Sequence, residues 1–464
     1  MFEASIDAVA WSVIVLGSVA DASLTNSVFL DIASDISGIL PDNIPWRLVL
    51  IPPITGIIGY FTNWVAVRLM FHPIDLMGIR IPGLKKIATV LPRKVRQIPG
   101  MMEGKVGWQG IVPSRAAKMG SIAYDNSVEK VASQREFYEQ FNPDVVADYV
   151  VNAGRDDIHK IVDEIIQQEY PELWEDAPEP VREFIHGRVD QRMPEVSDRL
   201  FEKTGEHIND LMNIKMMIVQ YLENKPELLN QMFLEVGDKE LKFLVRSGLI
   251  FGTLLGACTI PLFLWINQPW VLPVSGAMVG YLTNYIAIKA IFSPVEEKKI
   301  GPFKVQGLFI KRQNEAVDKY AELVSQKILT VENIAYHLLY GPKSDRTRKM
   351  VRDSIRPEVD ESVGAARPLL KGTMGQREYD DIRDALSTEP IDYGYELLKD
   401  PEFNKERSEK MQELIAKEIK KLPPDEYVKM LRPAFEEDEW LLITVGAILG
   451  IFAGYLQNIV VNMV

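Results

Sequence analysis

The 464-residue chain holds one cysteine, Cys258, and five histidines. A disulfide framework and a cysteine-rich metal site are therefore excluded, and little is left for a zinc cluster. No metal and no cofactor are expected. Basic excess is missing too: the net charge is −13, so nucleic acid is not an expected partner. The signatures of common enzymes are absent. There is no GxxxxGK[ST], no GxGxxG after a strand, no GxSxG and no HExxH. Gly100–Lys105 has the wrong spacing for a phosphate loop. The chain is expected not to be an enzyme. His159, His186 and His207 stand among acidic residues in helical stretches, which points to solvated or capping roles. Cys258 sits in an apolar run as a small inert residue.

Charge itself is missing from four long stretches. No charged residue lies between Arg47 and Arg68 in residues 46–71, and none lies in 247–266, 270–288 or 440–464. About 20 apolar residues cross the ~30 Å of bilayer hydrocarbon as a helix, so all four read as transmembrane. A fifth run, Ala8 to Ala20, is short for a span and is flanked by Asp7 and Asp21. Glu3 and Asp7 stand where a signal peptide needs positive charge. The run either crosses the bilayer, lies at its interface, or belongs to a helix that continues to Phe29. Pro52, Pro53 and Pro273 leave two readings of their spans, a kinked continuous helix or the broken helix of a transporter.

What the sequence does contain is a repeat. GYFTNWVAVRLMFHP at Gly59–Pro73 returns as GYLTNYIAIKAIFSP at Gly280–Pro294, at a constant offset. Gly248, Gly252 and Gly256 form GxxxGxxxG, and Gly446, Gly450 and Gly454 repeat it, with GYLQN at Gly454–Asn458 as a faint echo of the first motif. Each half thus has a helix with Tyr-x-Thr-Asn, a long polar segment and a triple-glycine helix. Boundaries follow: an N-terminal segment 1–45, spans at 46–71, 244–266, 270–292 and 440–464, and polar domains at 72–243 and 295–438. The motif core resembles the "domain of unknown function 445" family of bacterial and archaeal membrane proteins, through Thr62, Asn63, Ala66, Phe71 and Pro73 and through Thr283, Asn284, Ala287, Phe292 and Pro294. The helix at Arg246–Gly256 is also similar to that family. The resemblance implies an integral membrane protein with helical soluble parts and brings no activity with it.

The polar domains read as helix. Ile158, Ile161, Val162, Ile165 and Ile166 recur at helical spacing, as do Val317, Tyr320, Val324 and Ile328, and Met411, Leu414, Ile415, Ile419 and Leu422. Val181, Ile185, Val189, Val196 and Leu200 continue such a stripe past Pro194. These stripes are expected to be core. The expected fold class is therefore an all-α integral membrane protein with duplicated halves, four to five transmembrane helices and two elongated helical cytoplasmic domains.

The cytoplasmic side follows from basic residues beside the spans. Arg80, Lys85, Lys86, Arg93, Lys94 and Arg96 follow the first span; Lys304, Lys311 and Arg312 follow the third. Gly78–Pro99 mixes these cations with apolar residues, and Ile300–Arg312 reads as its counterpart. Either stretch can bind anionic lipid head groups or serve only as a positive collar.

Thr62, Asn63, Thr283 and Asn284 place polar groups inside apolar helices, with Gln457 and Asn458 in the last. A buried amide needs a partner, and the expected partner is the equivalent motif of the other half, with the glycines permitting close approach. No ionisable residue lies deep in a span, which argues against a proton relay. The leading expectation is a non-enzymatic membrane scaffold or tether in the plasma membrane, contacting lipid, a further protein or copies of itself as a homo-oligomer. The alternative is a transporter or channel for a lipid, a small polar solute or an ion, lined by the Thr-Asn helices.

Overall fold

The computed structural model describes residues 46–89, 104–169, 171–266, 268–300, 303–364, 367–436 and 439–463. The run Ala8–Ala20 and the cations Arg93, Lys94 and Arg96 lie outside the described residues. Helix dominates throughout, and the chain divides into two compact units.

One unit comprises Met1–Met70, Lys239–Ala290 and Asp438–Val464. Its four helices run over Trp46–Phe71, Asp238–Ile266, Val271–Phe292 and Glu439–Met463. All four are long and apolar enough to cross a membrane. The second begins at Asp238, so a charged first turn precedes its apolar run. Pro52 and Pro53 lie inside one continuous helix, and Pro273 sits in the first turn of the third, where its missing N–H costs no intrahelical bond. The broken-helix reading is not what these residues adopt. Ile57, Leu254, Met278 and Phe452 all point outward and are exposed, the distribution a lipid solvent allows and water penalises.

The other unit comprises Phe71–Asp238 and Ile291–Glu437, so both polar segments contribute to one body. Its longest helices, Pro143–Glu169 and Glu179–Glu206, form a hairpin through the short helix Pro171–Glu175. Pro194 stays within its helix. His159 and His186 do not point into solvent. Their rings stack with centroids 4.3 Å apart, His159 bonds Asp190 at 2.9 Å, and His186 bonds Asp163 at 2.7 Å. Each imidazole thus reaches across the hairpin to the opposite helix. Helices of the second segment close on this hairpin. Arg199 pairs with Glu358 at 2.7 Å, Arg192 with Glu361 at 2.8 Å, and the Tyr393 hydroxyl donates to Asp157.

Two short antiparallel ladders are the part that helical periodicity did not predict. Strand β1 (Met77–Arg80) pairs with β2 (Lys105–Trp108), and β3 (Lys298–Ile300) pairs with β4 (Phe303–Val305). Strands of three or four residues are too short for alternation to register. They also correct the expected counterpart of Ile300–Arg312. Its β4 and the Gln306-Gly307 that follows match Lys105–Gly110, not Gly78–Pro99. Gln109 donates to the Ile74 carbonyl at 2.8 Å, and Gln306 to Val295 at 3.1 Å. The Gly110 N–H donates to Pro73 at 2.8 Å, and Gly307 to Pro294 at 2.9 Å.

Candidate functional site

The sequence-selected residues of the spans form two interfaces of the same design. In the first, Gly248, Gly252 and Gly256 turn toward Trp46–Phe71. A Cβ at Gly252 would come within 2.9 Å of the Thr55 carbonyl oxygen, and one at Gly256 within 3.1 Å of the Pro52 Cα. A Cβ at Gly59 would collide with the Gly248 carbonyl. Backbones touch because glycine has no side chain, and that contact is where helix association in lipid finds its van der Waals energy.

Asn63 completes the interface. Its Nδ2 donates to the Leu244 carbonyl at 2.8 Å, and a Cβ on Gly248 would stand 2.8 Å from the same nitrogen. The missing side chain at Gly248 is thus the opening through which the amide reaches a carbonyl one turn earlier. The second interface repeats this: Gly446, Gly450 and Gly454 meet the backbone of Leu272–Gly280, and Asn284 Nδ2 donates to Leu442 at 3.0 Å. Thr62 and Thr283 cap this by donating to their own helices, at Gly59 and Gly280, with distances of 3.0 Å and 3.2 Å.

The expectation that each Thr-Asn motif would pair with the other is therefore corrected. Each asparagine binds the glycine helix that follows it in its own half, where the missing side chain of Gly248 or Gly446 leaves room for the amide to reach a carbonyl. Among the described residues, the Oδ1 atoms of Asn63 and Asn284 are buried and without a hydrogen bond. Between the halves, Ile51 packs with Leu272, and Gln457 Nε2 donates to Thr55 Oγ1 at 3.1 Å; all four residues are buried. Asn458 beside Gln457 is half-buried. Thr55 was missed in the sequence because its own-helix bond to Ile51, 2.7 Å, makes it resemble any helix threonine.

The basic residues near the spans divide by environment. Arg80, Lys85 and Lys86 are exposed, and around them stand exposed apolar side chains, Met77 at 69%, Ile79 at 79% and Ile87 among them. Lys304 is exposed but pairs with Glu297 at 2.7 Å, and Arg312 pairs with Glu315 at 3.0 Å. Lys311 is exposed. Cations and large apolar groups on one hairpin, six residues after a span ends at Phe71, suit a bilayer interface better than open water.

Comparison with known proteins agrees on the solvent. Residues of the chain are 37% identical over 86 positions to a "UPF0754 membrane protein" of Exiguobacterium sibiricum, covering 18% of this chain and 23% of that one. A "UPF0754 membrane protein" of Rippkaea orientalis is 27% identical over 133 residues, covering 23% and 31%. A "UPF0754 protein" of Alkalihalophilus pseudofirmus is 38% identical over 89 residues, covering 18% and 22%. This is an all-α membrane protein. The matches span less than a third of each relative; two of the three names state a membrane location, and none states an activity. They support the membrane class expected from the motif and leave the narrower family name as a resemblance. No family model matches the chain. No solved structure matches it.

Proposed function

We propose that the protein is a non-enzymatic membrane scaffold built from two copies of one ancestral unit, anchored by four spans in the cell membrane with its polar segments in the cytoplasm. The observation that carries this reading is the use of Asn63 and Asn284: each spends its donor on a backbone carbonyl of the neighbouring span. Polar groups in the spans thus hold helices together. The exposed hairpin β1–β2 supplies the contact with anionic lipid.

One observation favours the rival transporter or channel: the Oδ1 atoms of the same two asparagines are buried with no partner among the described residues. The two readings separate in proteoliposomes loaded with potassium or with a small anionic dye. The scaffold reading expects no flux above empty vesicles, and a lower melting temperature for Asn63→Ala with Asn284→Ala. Flux in the natural protein that these substitutions abolish without lowering stability overturns it.

A further inference from the structure

The unit formed by Phe71–Asp238 and Ile291–Glu437 contains a half-open cavity of about 1050 Å³. Two helices of the first polar segment wall it, Pro143–Glu169 and Glu179–Glu206. Four of the second complete it: Val331–Tyr340, Ser344–Val363, Gln376–Leu386 and Glu389–Leu397. The stripe Val181, Ile185, Val189, Val196 and Leu200, expected as core, lines this space, while Ile185 and Val189 also pack against the buried cluster of Val162, Ile166 and Trp174. Val181 is 45% exposed and Phe184 62%.

Apolar side chains ordinarily pack against one another at near-crystal density, so an open apolar cleft of this size stands out. This one has the volume of roughly 35 waters at about 30 Å³ each, and it lies at the top of the ~300–1,000 Å³ range of ligand pockets. Its lining is overwhelmingly aliphatic and aromatic, so water filling it would forfeit the burial that these side chains otherwise gain. Two features point to a ligand with a polar end. Thr347 lines the cavity, is 3% exposed, and its hydroxyl has no hydrogen-bond partner among the described residues. Three arginines line the cavity; Glu358 and Glu361 hold Arg192, and Asp360, Asp380 and Asp384 hold Arg383, which leaves Arg188. Arg188 is exposed and stands 5.5 Å above the Phe184 ring. Among the described residues no carboxylate pairs with it.

We propose that this cavity takes the acyl chains of an anionic phospholipid, with the head group beside Arg188. The source is the bilayer. The same chain carries four helices able to cross it, which holds the soluble unit at a high effective concentration of lipid. The site goes beyond the scaffold reading and stands whether or not the spans conduct.

Gly394 supplies the test. It lines the cavity, and a Cβ there meets nothing within 4 Å, while replacing a helix glycine favours the helix. The full-length protein is placed in liposomes containing phosphatidylglycerol with a diazirine at the end of one acyl chain, irradiated, and mapped by peptide mass spectrometry. Adducts are expected on the spans and also on cavity residues such as Met193 and Met374. Gly394→Trp should cut the cavity adducts at least tenfold and leave those on the spans; Gly394→Leu should cut them less and Gly394→Ala little. Arg188→Glu should lower them about fivefold, with a smaller loss for the phosphatidylcholine probe. Wild-type adducts confined to the spans, as when a protein segment fills the cavity, overturn the proposal. So do cavity adducts that persist undiminished in both Gly394→Trp and Gly394→Leu.

Discussion

Glycine and asparagine carry unequal weight in the span interfaces. Removing the Asn63 amide forfeits one interhelical hydrogen bond, which in membranes contributes roughly 0.6 to 2 kcal/mol. Adding a methyl at Gly248 does two things. It displaces the same amide, whose nitrogen would lie 2.8 Å away, and it drives the Gly59 backbone off the helix. Overpacking alone costs about 1–3 kcal/mol. Gly248→Ala should therefore destabilise the folded spans more than Asn63→Ala, and Gly446→Ala more than Asn284→Ala. Unfolding in detergent by steric trapping, which reads stability in a native-like solvent, checks the order. The motifs were legible because Thr62-Asn63 and Thr283-Asn284 are polar anomalies in apolar runs. Their partners were not, because a backbone carbonyl has no sequence signature. A soluble-unit residue gives a pH prediction. His337 is buried, and burial followed by the charge of Lys343 lowers its pKa. The unfolded chain then binds its proton more readily than the fold, so stability is kept above the ordinary value of about 6.5 and lost as pH falls through it. The melting temperature should fall as pH drops below about 6.5, and His337→Gln should flatten that fall.

Elements separate into those that a period announces and those that it does not. The stripes of Val317 and Tyr320, and of Met411, Ile415 and Ile419, are buried as their spacing required. The stripe from Val181 to Leu200 has the same period and walls a cavity, since periodicity says which residues share a face and nothing about what meets it. The strand pairs were illegible for a different reason. β1 and β2 are separated by residues 81–104, and only Gln109-Gly110 and Gln306-Gly307 hint that the two halves share them. Hairpin β1–β2 carries the prediction of this scale. Exposed Ile79 lies beside Arg80, Lys85 and Lys86, and each cation near an anionic surface contributes about 1 kcal/mol. An environment-sensitive fluorophore on Ile79→Cys, in a Cys258→Ser background, should emit as in hydrocarbon when the protein sits in nanodiscs of anionic lipid. Emission should move toward that of water in zwitterionic nanodiscs. Water-like emission in both removes the hairpin from the bilayer.

For the whole molecule, parity and packing arrive at one topology by separate routes. An even number of spans lies between the two polar segments, because the helices Asp238–Ile266 and Val271–Phe292 are joined by a turn. That places both segments on one side whatever the N-terminal run does. Independently, Phe71–Asp238 and Ile291–Glu437 form a single compact unit, and one unit cannot be divided by a bilayer. The proposed cytoplasmic side rests on the basic residues after the first and third spans. Single cysteines at Ser133 and Lys405, both exposed, report the two segments once Cys258, itself exposed, is replaced by serine. Both should stay unlabelled by a membrane-impermeant maleimide on intact cells and react together after permeabilisation. Labelling of both on intact cells reverses the orientation and keeps the single unit. Labelling of one alone means that the two segments do not share a compartment, and with that the soluble unit and its cavity could not exist in the cell.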